Sequence, residues 1–297
     1  MRERIRVQSV LYQTGLSEIW RLMRSVAAAA KLYALGGGGV VEIAFGDSSP
    51  GPVLSRAALG DLSAAAVDAG LAACTYVHFD ANLGSGGGQN RLATEGDSAF
   101  IFVLNPDTYM APRCLMALTA ALEDEGVGVA EARQIPFEHP KVFDLGSGDT
   151  AWASGACFMV RRILFEALSG FDAEHFPLYC DDVDFSWRVR LAGKRVVHVP
   201  SAVVFHDKRL DVGGGLVASE VEVESGTLAR LLLATKWVKP DLVQETISWI
   251  EGDGGPAHRR ALGTYKKRLA EGHVPSPIPH AAKVAQFIDG NYARHRY

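Results

Sequence analysis

Cysteine is scarce in this sequence and shows no pattern. Cys74, Cys114, Cys157 and Cys180 stand far apart with no Cys-x-x-Cys, so neither a zinc site nor a disulfide framework is indicated. Reduced thiols in a cytosolic protein are the expectation. No apolar run approaches the ~20 residues that a membrane-spanning helix needs. The opening Met1-Arg2-Glu3-Arg4 is charged and passes into a short strand-like run, which is not signal-peptide patterning. Charge of neither sign dominates: 30 Lys and Arg against 34 Asp and Glu leave −4, which gives no case for nucleic acid as the main partner. Internal repeats and long low-complexity segments are also missing.

What is present is apolar material, 48% of 297 residues, enough for one large α/β domain or two smaller ones. Strands are predicted at Arg4 to Tyr12, Val40 to Phe45, Thr75 to Phe79 and Ala99 to Leu104. The last, AFIFVL, is continuously apolar, as in a parallel strand covered on both faces. Helices fall between them: Ser17 as N-cap of one reaching Leu35, closed by Gly36 to Gly39, and another across Leu54 to Ala73. The alternation predicts α/β. Further on, Pro112 opens a helix to Glu123, Val127 to Glu131 is a strand, and Pro136 to Thr150 a long loop. Ser154 to Val160 is a strand and Arg161 to Leu168 a helix. A helix from Cys180 or Asp181 to Leu191 precedes short strands at Arg195 to Val199 and Ala202 to Phe205. Asp211 to Gly215 has a mobile composition, and helical patterns dominate from Val217 onward.

Four acidic or metal-ligand signals follow the apolar runs. The first is Asp47. The second is Asn105-Pro106-Asp107, whose carboxylate, just past a buried strand, sits where open α/β sheets bind ligands. It can hold a hard divalent ion and through it a diphosphate, although Asn-Pro-Asp is also ordinary turn chemistry. The third is Asp181-Asp182, which either complements the dipole of a helix's first turn or supplies a general base whose neighbour raises one pKa. Asp184, four residues before Arg188, suits a helix-surface ion pair. The fourth is His206, a structural histidine unless it shares a metal with Asp107. The run Gly84-Ser85-Gly86-Gly87-Gly88 fits neither G-x-G-x-x-G nor a P-loop. It is either a flexible loop or a place where a base or phosphate meets bare backbone.

Together these residues resemble the family 2 glycosyltransferases of the GT-A fold, in particular the rhamnosyltransferase-like and galactofuranosyltransferase-like subgroup. The resemblance covers roughly Val7 to Lys208. Its most specific fragments are Ser154-Gly155-Ala156-Cys157, Gly170-Phe171-Asp172, Tyr179-Cys180-Asp181-Asp182-Val183-Asp184, Val199-Pro200-Ser201-Ala202 and His206. It implies a Rossmann-like, mixed but mostly parallel sheet flanked by helices, with a C-terminal helical extension. The implied division is a nucleotide-sugar half over 1–110, an acceptor and catalytic half over 111–216, and a helical region over 217–297.

The resemblance also implies roles. Tyr12, Gln13 and Asp47 would line the nucleoside pocket, with Asn82, Gly84, Asn90 and Arg91 in the loop beneath it. Asn105 opens the counterpart of the D-x-D motif, Asp107 and His206 would hold Mn2+ or Mg2+, and Trp152 would lie near the sugar or acceptor. Asp182 matches the catalytic base and Asp181 the acidic residue beside it. The implied reaction is inverting transfer from a nucleoside-diphosphate sugar, leaning to a dTDP- or UDP-linked deoxysugar such as rhamnose. The acceptor would be a hydroxyl of a glycan, a lipid-linked saccharide or a small molecule. Two departures stand out: Gly46 replaces an expected Asp, and Asn105 lacks the charge of the usual first metal-motif Asp. They keep open a catalytically weak or inactive sugar-nucleotide or glycan-binding protein on the same fold. Tyr12-Gln13-Thr14-Gly15 lacks the Gly-rich basic signature of a nucleotidyltransferase. The basic stretch from His258 to Arg268 is a solvated helix face, a contact with the inner face of a membrane, or an oligomer interface.

Overall fold

The computed structural model describes residues 3–138, 142–208 and 218–293; Asp211 to Gly215, read above as mobile, lies outside them. Four parallel strands open the chain: β1 (Arg4–Leu11), β2 (Val40–Asp47), β3 (Cys74–His78) and β4 (Phe100–Leu104). Helices α1 (Leu16–Leu35), α2 (Arg56–Asp68) and α3 (Gly84–Ala93) connect them. In α1 the buried positions Ile19, Leu22, Met23, Val26, Ala30 and Tyr33 recur at helical spacing and form one apolar stripe. The N-cap is Gly15, whose N–H is held by Glu18 at 2.8 Å, and not the expected Ser17.

Beyond β4 come β5 (Thr108–Met110), α4 (Cys114–Leu122), β6 (Val127–Ile135), β7 (Cys157–Arg161), α5 (Arg162–Ala167), α6 (Asp181–Leu191) and β8 (Arg195–His206). All eight strands form one sheet in the order β3-β2-β1-β4-β7-β6-β8-β5. Only β7 and β5 run against the others, so the sheet is mixed and mostly parallel, as expected. Strand β4 shows why both faces must be covered. Phe100, Phe102 and Leu104 enter a core with α1, α2 and α4, while Ile101 and Val103 enter another with α5 and α6. Each such side chain removed from water contributes about 1.5–3 kcal/mol.

Three expectations need correction. The two short strands after Arg195 are one twelve-residue strand, because β8 stays paired with β6 as far as Phe205 across a register shift at Ala132/Arg133, while its last three residues also pair with β5. Strand β6 continues to Ile135 for the same reason. Strand β5 was not anticipated: three residues carry no periodicity, and only pairing with β8 defines them.

The C-terminal helices are α7 (Glu220–Lys236), α8 (Pro240–Asp253) and α9 (Pro256–Ala270). Leu232, Trp237, Ile250 and Tyr265 share a core with Val183 and Trp187 of α6. Among the described residues no helix is long and apolar enough to cross a membrane.

Candidate active site

Strand β4 stops at Leu104, and the chain turns through Asn105-Pro106-Asp107 into β5. Thr108 closes the turn by donating its N–H (3.2 Å) and its hydroxyl (2.6 Å) to the Asn105 carbonyl. Pairing of β5 with β8 sets Thr108 opposite His206. It brings His206 Nε2 to 3.2 Å from Asp107 Oδ2. His206 is buried, and its Nδ1 lies 2.7 Å from Gln134 Oε1 on β6.

These residues fit a divalent cation. With Nδ1 turned to Gln134 Oε1, His206 presents Nε2 to the Asp107 carboxylate, the orientation in which an imidazole can share a metal with it. Asp107 Oδ1 is buried without a hydrogen-bond partner among the described residues. The 3.2 Å separation is close to the ~3 Å between neighbouring ligands of an octahedral ion with bonds of about 2.1 Å. Among the described residues no third His, Cys, Asp or Glu completes a cluster, which leaves coordination positions for ligand oxygens and water.

The acidic pair is set by strain and burial. Tyr179 and Cys180 both adopt left-handed backbone, φ 66° and 60°, and swing the chain into α6. Asp182, half-buried, accepts the Gly155 N–H through Oδ2 at 2.9 Å and the Val183 N–H through Oδ1 at 2.8 Å. The next carbonyl, that of Ala156, accepts the Asn105 N–H at 2.9 Å, so Gly155-Ala156 links Asp182 to the Asp107 turn. The linking segment is itself fixed: Ala153 N–H donates to Ser186 Oγ at 3.0 Å and Ser154 N–H to Glu131 Oε1 at 2.8 Å. Burial first, and the adjacent Asp182 charge second, push the Asp181 carboxyl up to about 8. At neutral pH Asp181 therefore keeps its proton, and Asp182 has a neutral neighbour.

The glycine run is not a loop but the first turns of α3. Gly84 has φ 67°, and a Cβ there would overlap the Pro177 carbonyl, so only glycine fits. Its N–H is taken by Asn82 Oδ1 at 3.0 Å, and the Ser85 N–H by the Pro177 carbonyl at 2.9 Å. Gly86 and Gly88 let α3 seat closely on Phe171 and Val10. The departure at Gly46 has a steric cause, since a Cβ there would overlap the Phe79 ring.

These elements enclose a cleft of about 970 Å3 at the carboxyl ends of the strands. Tyr12, Gln13, Asn82, Gly84, Asn105 and Asp107 line it. His206 stands behind Asp107. Asp182 stands behind Gly155 and does not line the cleft.

Four expected contacts lie elsewhere. Asp47 is fully buried, and its carboxylate accepts the N–H groups of Ser49 (2.9 Å) and Val53 (2.8 Å) and the Tyr76 hydroxyl. Burial works to raise its pKa, but these hydrogen bonds outweigh it and hold the carboxyl below its usual range. Asp47 thus shapes the loop whose Ser49 Oγ accepts the Gln13 N–H at 2.7 Å. Asn90 spends its amide on the Phe171 N–H and carbonyl, and Arg91 lies on the exposed side of α3 with Thr94 and Glu95. Trp152 is buried against Tyr292 in the core shared with the C-terminal helices. Sequence reasoning missed Ser48, Gln89, Leu178, Val221 and Ser225, all of which line the cleft. Gln89 directly follows the singled-out glycine run; Val221 and Ser225, on α7, gave no signal at all.

The architecture recurs in solved glycosyltransferases. The mannosyltransferase PcManGT from Pyrobaculum calidifontis, in complex with GDP-Man and Mn2+, superposes with TM-score 0.59 at 15% identity, over 95% of this chain and 78% of that one. GalNAc-T7 with UDP, GalNAc and Mn2+ gives TM-score 0.63 at 14% identity, over 93% of this chain and 55% of that one. The fold is that of the GT-A glycosyltransferases.

In sequence, the chain is 45% identical over 62 residues to the N-acetylglucosaminyl-diphospho-decaprenol L-rhamnosyltransferase of Mycobacterium tuberculosis (strain CDC 1551 / Oshkosh). That segment is 21% of this chain, and the match spans only 20% of the relative's length. The rhamnosyltransferase-like resemblance is borne out there. No protein-family model matches the chain.

Proposed function

We propose that this protein is an inverting glycosyltransferase that moves a sugar from a nucleoside-diphosphate donor to an acceptor hydroxyl. The carrying observation is the Asp107–His206 pair at the cleft together with the hydrogen-bonded link, through Gly155-Ala156, from the Asp107 turn to Asp182 behind it. The cleft is large enough for a nucleotide sugar, at the upper end of ordinary ligand sites. Half-exposed Tyr12 at one end offers a ring for base stacking. The first turn of α3, with Gly84 and Ser85 at the wall, favours a negatively charged diphosphate.

Mn2+ or Mg2+ on Asp107 and His206 would neutralise charge on the departing nucleoside diphosphate. Asp182 accepts the proton of the acceptor hydroxyl as its oxygen attacks the anomeric carbon. The bond from that carbon to the diphosphate oxygen breaks on the opposite face, so the configuration inverts. Protonated Asp181 contributes no competing charge beside the base. The donor class proposed is a dTDP- or UDP-linked sugar, with rhamnose suggested by the matched relative. The acceptor proposed is a glycan or a lipid-linked saccharide.

The test is calorimetry with dTDP-rhamnose, UDP-sugars and GDP-mannose, each with and without Mn2+, followed by assay of nucleoside diphosphate release. Mn2+-dependent binding with turnover supports transfer. Binding without turnover in the presence of acceptors would leave only a sugar-nucleotide-binding protein, and absence of binding would remove the proposal.

A further inference from the structure

Beneath the candidate site lies an ionic junction that the reaction scheme does not use. Asp184 is fully buried on α6, two residues beyond Asp182. Its Oδ2 accepts from Arg188 Nε at 2.8 Å, and its Oδ1 accepts from Trp237 Nε1 at 3.0 Å and lies 2.8 Å from Lys236 Nζ. Lys236, the last residue of α7, is itself buried and also donates to Asp172 Oδ2 at 2.6 Å. The pair Asp184–Arg188 is thus an interior hub and not the helix-surface pair that i,i+4 spacing suggested.

The junction reaches two elements that border the cleft, α3 and α7. Asp172 follows Phe171, whose N–H and carbonyl are clamped by Asn90 of α3. Arg188 also donates to the Leu168 and Gly170 carbonyls, each at 2.7 Å. At the far end of α7, Val221 and Ser225 line the cleft itself. Burying the charged pair Asp184 and Lys236, with Arg188 and Asp172 partly buried beside them, is a costly way to hold two helices together, since apolar packing of the same volume serves stability as well. What directional charge pairs add is a fixed rotation of α6 about its axis, and that rotation aims Asp182.

We propose that Lys236 is a positioning residue for the transfer reaction: by clamping Asp172 and Asp184 it fixes the orientation of α6 and hence of Asp182, and it makes α7 part of the site. This rests on the reading of Asp182 as the base. The test is steady-state kinetics of the full chain with Mn2+ and dTDP-rhamnose, or the UDP-sugar that the wild type turns over, with Asp182→Asn in parallel. Lys236→Met should lower kcat about tenfold or more, because small misplacements of a reacting group are costly, with donor KM within about threefold. Lys236→Arg should recover kcat to within about threefold, because a pocket of about 440 Å3 borders Lys236 and leaves room for the guanidinium. If Lys236→Met does not fold, Asp172→Asn, which keeps the shape and removes one clamp, should give the same split at smaller size.

Wild-type kcat in Lys236→Met or Asp172→Asn beside an inactive Asp182→Asn would overturn the positioning role alone. So would Lys236→Arg no faster than Lys236→Met. An active Asp182→Asn, or a wild type that turns over none of these donors, would overturn the underlying reading and this inference with it.

Discussion

His206 Nε2 lies 3.2 Å from Asp107 Oδ2, although 99 residues separate them in sequence. Three residues of β5, pairing with the end of β8, create the approach. Gln134 holds the ring from behind at 2.7 Å. If the pair holds the cation, His206→Ala and Asp107→Ala should abolish the Mn2+ dependence of UDP or dTDP binding. Gln134→Leu should weaken Mn2+ affinity by about 10–100-fold, as loss of a ligand's supporting hydrogen bond does. Calorimetric titration of Mn2+ into the nucleotide-loaded protein reads all three, and equal affinities in wild type and His206→Ala would exclude the metal role.

Asp181 makes stability depend on pH. Its carboxyl rises from 3.8 to about 8 in the folded protein, through burial first and the charge of Asp182 second. Between those values the folded state keeps a proton that the unfolded chain has lost. The contribution is therefore full below about pH 4 and is lost as pH rises through about 8. Asp181→Asn, neutral at every pH, should flatten the fall of Tm between about pH 5 and 8.5. An unchanged slope would mean that Asp181 is ionised in the fold.

Gly84→Ala tests the turn into α3. Positive φ and the Pro177 carbonyl leave no place for a Cβ. The expected loss is about 2–4 kcal/mol, combining backbone strain with overpacking. Urea denaturation measures it, and a loss under about 0.5 kcal/mol would show that the segment relaxes freely.

Tyr12 is 51% exposed and lines the cleft. Tyr12→Ala should leave the urea midpoint unchanged and weaken nucleotide binding by about 0.5–1.5 kcal/mol, the scale of one aromatic stacking contact. Retained affinity would place the base elsewhere in the cleft.

The parallel half of the fold was legible because its strands are long and apolar and its helices periodic. The Asp107 turn was legible because it follows such a strand. Asp47 misled for a physical reason: a carboxylate after a strand can serve backbone N–H groups as readily as a nucleoside, and only the positions of Ser49, Val53 and Tyr76 show which. Asn90 and Arg91 misled because the glycine run forms a helix, which turns one into the Phe171 clamp and the other outward. Val221, Ser225 and Lys236 were invisible because their roles depend on where α7 docks, and nothing local in the sequence encodes that.

The central claim is that Asp182 removes the acceptor's proton. Steady-state kinetics and donor calorimetry on Asp182→Asn, with Mn2+ and the donor that the wild type uses, test it most directly. The account predicts turnover reduced by about 10²–10⁴-fold, the usual contribution of a general base, with donor Kd within about threefold of wild type. An Asp182→Asn protein that turns over within about threefold of wild type would contradict it.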